Sequence, residues 1–138
     1  MFDNLAKRIQ LEAMLGVLGG AMTIAHRLNR EITEYVSQRD GVAEIRTEDR
    51  CVGRRFYISH GKIRVLRGTH PAPDYAMVYK DIPTALRIMM QGTEEAAMKA
   101  LSEGELRFDG DFTFGMWFME LLQKIGKLIK NPREFISR

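Results

Sequence analysis

LSEGELRFDGDFTFGMWFMELLQKIGKLIK, Leu101 to Lys130, is the stretch whose reading decides the fold. Its first part alternates apolar and polar residues, which predicts a short strand from Glu105 to Asp109. Gly110-Asp111 then turns the chain into the most hydrophobic helix in the sequence. Asp111 is the natural N-cap, because its carboxylate can accept from the free amides of the first turn. At about 100° per residue, Phe114, Trp117, Phe118, Leu121, Leu122, Ile125, Leu128 and Ile129 share an arc of roughly 140°. Glu120, Gln123, Lys124, Lys127 and Lys130 fall on the opposite side. Phe112, Met116 and Met119 lie near that polar side, so the first two turns are apolar almost all round. One sheet face does not supply enough cover for such a helix. A tunnel mouth, a membrane or the N-terminal helix is expected over the second patch.

Just upstream, Asp81 caps a helix with Pro83 in its first turn that runs to Gly92. Thr93 caps another, with Glu94 and Glu95 placed for its dipole, ending at Glu103-Gly104. Before these the period is two. Val42 to Glu48, Cys51 to His60, Lys62 to Gly68 and Tyr75 to Lys80 read as strands, with a tight turn at His60-Gly61. The alternation predicts one covered and one wet face, as in an antiparallel meander. Ala21 to Gln38 is an amphipathic helix with Ala21, Met22, Ile24, Ala25, Leu28, Ile32, Tyr35 and Val36 on one side. Gly19-Gly20 is expected to break or kink it away from a first helix, Phe2 to Leu18. That first helix shows no single stripe. It suits burial against the domain or a second copy, or a lipid- or partner-contacting extension. The chain closes on a basic tail after Pro132.

At 138 residues one domain with a real core is expected, and a net charge of +3 is mild. The basic residues are dispersed rather than striped, which argues against nucleic acid as a partner. A single cysteine excludes an internal disulfide framework and suits a reducing cytoplasm. The N-terminus lacks the features of a signal peptide. The apolar run Leu11 to Ala25 carries Glu12 and three glycines and is too short to span a bilayer, so a soluble or peripheral protein is expected.

The polar residues assemble no catalytic set. His26, His60 and His70 show no metal spacing, so neither a metal nor a catalytic histidine is assigned. Cys51 has Arg50 and Arg54 nearby, which could lower its pKa, but an incidental thiol is the simpler reading. Asp109 and Asp111 are explained by turn and cap. Arg54, Arg55, Arg64 and Arg67 form a basic patch whose plain reading is a solvated sheet face, the other being a site for a lipid headgroup or an anionic cofactor. Nine methionines are a richer signal. Met22, Met77, Met89, Met90, Met98, Met116 and Met119 fall in elements expected to face the interior, where flexible thioethers adapt to irregular apolar guests.

The order of elements and three stretches carry a resemblance. They are RFYISHGKIRVLRGTHPAPDYAMVYKD (Arg55 to Asp81), TALRIMMQGTEEAAMKALSEG (Thr84 to Gly104) and GELRFDGD (Gly104 to Asp111). The last matches a Gly-Lys-x-x-x-x-Gly-Asp strand and turn, with Glu105 where Lys is usual. Together they resemble the sterol-carrier-protein type-2 (SCP2-like) family of lipid-binding domains over about Ala21 to Ile129. Residues 1–20 precede the usual start and resemble the N-terminal extensions of some bacterial members, including an accessory protein of quinone biosynthesis.

The resemblance implies an α+β fold: a five-stranded, mostly antiparallel sheet with helices packed on one face and an apolar tunnel between them. Residues 1–20 would be a helical extension and 21–138 the lipid-binding domain. The implied function is non-enzymatic and cofactor-free carriage of a fatty acyl, sterol or isoprenoid-type lipid, as an accessory of lipid or quinone metabolism. Phe56, Ile58, Leu106 and Phe108 would form the sheet wall, Ile88, Met89 and Met98 the middle helices, and Phe112, Phe114, Trp117, Phe118 and Leu121 the closing wall. Lys124, Lys127 and Lys130 would touch anionic headgroups, placing the protein in the cytoplasm and transiently at the inner membrane surface. The alternative is an interaction or dimerisation module with a filled core, joined to a second copy or partner through residues 2–18.

Overall fold

The computed structural model of the chain describes residues 2–135, with side chains for 3–133; the end of the basic tail expected after Pro132 lies outside the described residues. Strands β1 (Gly41–Thr47), β2 (Gly53–Ser59) and β3 (Lys62–Arg67) form an antiparallel meander. His60 (φ 52°) and Gly61 (φ 76°) both take left-handed backbone, giving the mirror-image turn whose twist suits a hairpin. β4 (Tyr75–Tyr79) returns to pair with β1 in parallel, and β5 (Leu106–Gly110) pairs antiparallel with β4. The sheet order is β3-β2-β1-β4-β5, so a mostly antiparallel sheet is present but it is mixed.

Helices cover one face. Ala43, Ile45, Phe56, Ile58, Tyr75, Met77, Tyr79 and Leu106 point into one core shared with the helices. The other face is not uniformly wet, contrary to the simple alternation. Glu44 and Arg46, on the far side of β1 from Ala43 and Ile45, are buried, as are Ala76 and Val78 of β4. The 68–74 connection, which carries the chain from β3 to β4, crosses here. The His70 backbone N–H donates to Glu44 Oε2, and Arg46 Nε lies 2.9 Å from Glu44 Oε1.

The N-terminal helices divide differently from expectation. α1 (Phe2–Leu28) is continuous through Gly19-Gly20, and the break comes at Asn29, before α2 (Arg30–Val36). Asn29 is buried and its side chain accepts from Ile32 N at 3.1 Å, an N-cap in the middle of what reads as one amphipathic run. Of the expected stripe Ile24 and Leu28 are exposed, while Ala21, Met22, Ala25, Ile32, Tyr35 and Val36 are buried. The glycines are tolerated because their flanks are anchored: Leu11, Leu15 and Met22 belong to the core, and Gly19 lies where a Cβ would come within 2.8 Å of Val65 Cγ1. One unbroken helix also lengthens the apolar stretch. Asp3–Leu28 is long and apolar enough, by length and composition, to cross a membrane, where the shorter run in the sequence is not.

The remaining helices follow their caps. α3 (Ile82–Gln91) starts at Asp81, which accepts from Thr84 N at 2.8 Å, and ends at Gly92 in left-handed backbone. α4 (Glu94–Ser102) is capped by Thr93. α5 (Phe112–Lys130) is capped by Asp111, accepting from Phe114 N at 3.1 Å. Gly115 lets α5 press onto the sheet: a Cβ there would overlap the Tyr75 ring.

Candidate functional site

The inward stripe of α5 meets the sheet through tilted aromatic pairs. Phe118 is fully buried, with its centroid 5.2 Å from Phe56 and 6.3 Å from Tyr75; Tyr75 in turn meets Phe108 at 5.6 Å. Of the residues expected to line a lipid site, Phe56, Ile58, Ile88, Leu106, Phe114, Trp117, Phe118 and Leu121 are buried in this core. Met89 and Phe108 are partly buried against it. Met98 (60% exposed) and Phe112 (72% exposed) face outward. The methionines split in the same way. Met22 and Met77 are interior, whereas Met90, Met98 and Met116 are exposed, because α3, α4 and the start of α5 present more than one apolar side.

Part of the exposed apolar surface lies on the outer side of α5. A groove of about 540 Å³ runs along its first turns, walled by Ala97, Met98 and Leu101 of α4 and by Tyr35 at the end of α2. Phe108, Met116, Trp117 and Met119 are also part of its lining, so two of the three residues of the second apolar patch lie there. Gln38, Arg39, Glu94, Thr113, Glu120 and Gln123 supply its polar rim.

Tyr35, 82 residues from Trp117, carries no local signal of this role, and the sequence reading placed it only on a core stripe. Its ring stacks on the Trp117 indole at 5.1 Å with planes 2° apart, and Phe114 stacks on the indole at 5.6 Å. The Tyr35 hydroxyl lies 2.8 Å from the Trp117 carbonyl oxygen and 3.1 Å from Glu120 Oε2. Burial, and then its bond to the Glu120 carboxylate, push the phenol pKa well up, so it stays a neutral donor. Lys124 sits over the Tyr35 ring at 5.2 Å and pairs with Glu31 at 2.7 Å. Lys124 is thus half-buried and engaged, while Lys127 and Lys130 are exposed. Two buried polar atoms in this region, Trp117 Nε1 and Tyr75 Oη, have no hydrogen-bond partner among the described residues. Such atoms are rare in folded proteins.

The scattered polar residues stay scattered. His60 Nδ1 meets Ser59 Oγ, His70 Nδ1 accepts from Ala72 N, and His26 lies on α1. Asp109 is held by Arg107 and Asp111 caps α5. The Cys51 thiol pKa is raised, chiefly by its bond to the Asp49 carboxylate, so the neighbouring arginines do not activate it. Arg54 faces α1 rather than solvent, donating to the Glu12 carbonyl at 3.0 Å.

No protein-family model matches the sequence, and no curated protein matches it. Solved structures do resemble it. Sterol carrier protein 2 aligns at a TM-score of 0.58 and 14% identity, over 83% of this chain and 95% of that one. A UbiJ-SCP2 ubiquinone synthesis protein aligns at 0.57 and 14%, over 86% and 93%. The apo form of sterol carrier protein 2 from Yarrowia lipolytica aligns at 0.55 and 9%, over 78% and 88%. These likenesses, at low identity, are of fold: with its mixed five-stranded sheet and helices, this chain has the SCP2-like fold.

Proposed function

We propose that this chain binds and carries a hydrophobic ligand, a fatty acyl, sterol or isoprenoid-type lipid, without catalysing a reaction on it. The observation that supports this is the groove lined by Met98, Met116, Met119 and Trp117, which opens on the outer side of the helix whose inner side closes the core. Removing an aliphatic chain from water contributes about 0.8 kcal/mol per methylene. Movement of α5 off the sheet would give such a chain access to the aromatic interior, and the unpartnered Trp117 N–H and Tyr75 hydroxyl would offer donors to its polar end. Exposed Phe112, with Lys127 and Lys130 further along α5, would hold the protein at the cytoplasmic membrane surface during loading. Lys124, already paired with Glu31, would contribute least. Isoprenoids are the first ligands to try, given the ubiquinone synthesis protein among the similar folds, and an accessory role in quinone metabolism would follow.

Trp117 is the only tryptophan, so its emission reports on the groove directly. Delipidated protein titrated with a fatty acid, a sterol and an isoprenoid alcohol is expected to shift that emission with at least one of them. Native mass spectrometry should show the same ligand bound. Met116→Lys puts a charge into the groove and is expected to weaken binding about tenfold or more. No emission change and no bound mass with any of the three would sink the proposal.

The second reading, an interaction module, draws on α1, where Leu5, Ile9, Val17 and Ile24 are exposed. Removing residues 1–20 is a poor test of it, since Leu11 and Leu15 are core residues. The double variant Ile9→Lys/Val17→Lys leaves the core intact. It is expected to convert a dimer to a monomer by light scattering if α1 joins two copies; a wild-type monomer over the accessible concentration range would remove this reading.

A further inference from the structure

Arg54 on β2 and Arg67 on β3 are directly opposed in the antiparallel register. Arg67 has the Glu12 carboxylate. Arg54 is only 8% exposed, yet among the described residues it has no carboxylate at ion-pair distance, and its one side-chain hydrogen bond is to the Glu12 backbone carbonyl. A buried charge is costly unless a counter-charge accompanies it. Both guanidiniums line two adjoining grooves between α1 and the edge strand β3, of about 420 Å³ and about 490 Å³. The larger one is apolar. Gly16 and Gly20 leave one wall without side chains, Gly19 packs on Val65, and Leu15, Thr23, Ile24 and Leu66 line the groove with the two arginines. The smaller adds Arg8, so the two linings together hold three guanidiniums against the single carboxylate of Glu12.

We propose that this trough is a binding site, separate from the α4–α5 groove, for a single-chain amphiphile with an anionic head of the carboxylate type. The head sits between Arg54 and Arg67, where planar guanidiniums match a carboxylate two bonds at a time. The tail lies along the glycine wall against Val65 and Ile24. The site does not depend on the lipid-carrier reading. Charge selects the head, and the absence of side chains at Gly16 and Gly20 makes room for the tail.

The test uses the full-length ¹⁵N-labelled chain and sodium dodecanoate below its micelle concentration, with acetate as the head alone and dodecanol as the uncharged chain. Dodecanoate is expected to shift the amides of Gly16, Gly19, Gly20 and Val65 saturably. Acetate should leave them in place, and dodecanol should bind about tenfold more weakly, the worth of a charged hydrogen bond. Arg54→Gln should weaken dodecanoate to a similar extent. Gly20→Leu guards against a folding artefact, because a Cβ there meets nothing within 4 Å. It should keep the wild-type spectrum elsewhere and abolish the shifts. Dodecanol binding as tightly as dodecanoate, or wild-type affinity in both variants, overturns the proposal. So do shifts confined to residues 113–123, which would support the α4–α5 groove alone, and a concentration-dependent mass with no dodecanoate response, which would assign this face to a second copy.

Discussion

Phe118→Ala is expected to lower the unfolding free energy by about 3–5 kcal/mol, the range for truncating a buried aromatic ring. Phe118 is fully buried, and its ring lies against both Phe56 of β2 and Tyr75 of β4. Gly115 presses α5 onto the same Tyr75 ring, so the helix cannot settle inward to refill the space. The lost ring therefore leaves a cavity rather than a collapse, and the cavity term adds to the transfer term. Urea unfolding should show a lower midpoint at an unchanged slope, which separates lost stability from a changed denatured state. The variant also probes function. If lipid reaches the interior behind α5, the vacated ring space lets Phe118→Ala bind it more tightly, so the same ligand concentration should raise the melting temperature of the variant more than that of wild type. Destabilisation below about 1 kcal/mol would mean that the α5–sheet contact is not packed in solution.

How much of this was legible in the sequence depends on the range of the forces involved. Caps are local, and those at Asp81, Thr93 and Asp111 stand where the sequence puts them, starting α3, α4 and α5. The hairpin at His60-Gly61 is equally local. The glycine pair in α1 misled because helix propensity, about 1 kcal/mol per glycine, is a weak force beside burial of the flanking leucines and close packing on Val65. Asn29 misled in the opposite sense: an asparagine inside an amphipathic run gave no hint that its side chain would be buried as a cap. Tyr35 joins the groove only because the fold brings α2 against α5, a contact between distant parts of the chain that no local pattern encodes. The surplus apolar surface of Phe112, Met116 and Met119 was visible, but not its division. Met116 and Met119 enter the groove with Met98, and Phe112 stays outside it.

The charged side of β1 gives the other large expected effect, and it is the one that period-two reading hid. Glu44 and Arg46 alternate with Ala43 and Ile45 as solvent-facing residues would, yet the 68–74 crossing buries them. Arg46 Nη1 donates to the carbonyls of Thr47 at 2.9 Å and Glu48 at 3.2 Å, and its Nε faces Glu44 at 2.9 Å. Arg46→Met keeps much of the aliphatic stem but strands a fully buried carboxylate. It is expected to cost about 3–5 kcal/mol, chiefly the penalty of the unpaired charge rather than the strength of the pair. That distinction can be measured. Replacing both partners, as Glu44→Leu/Arg46→Met, removes the stranded charge and should be less destabilising than Arg46→Met alone, so the double-mutant cycle should show strong coupling. It should not be free of cost, because the His70 N–H then loses its acceptor. The His70 amide is therefore expected to exchange faster in the double variant than in wild type, while amides of β5 keep their protection. A double variant as unstable as the single one would show that the pair itself, and not the burial of an uncompensated carboxylate, holds the crossing loop to the sheet.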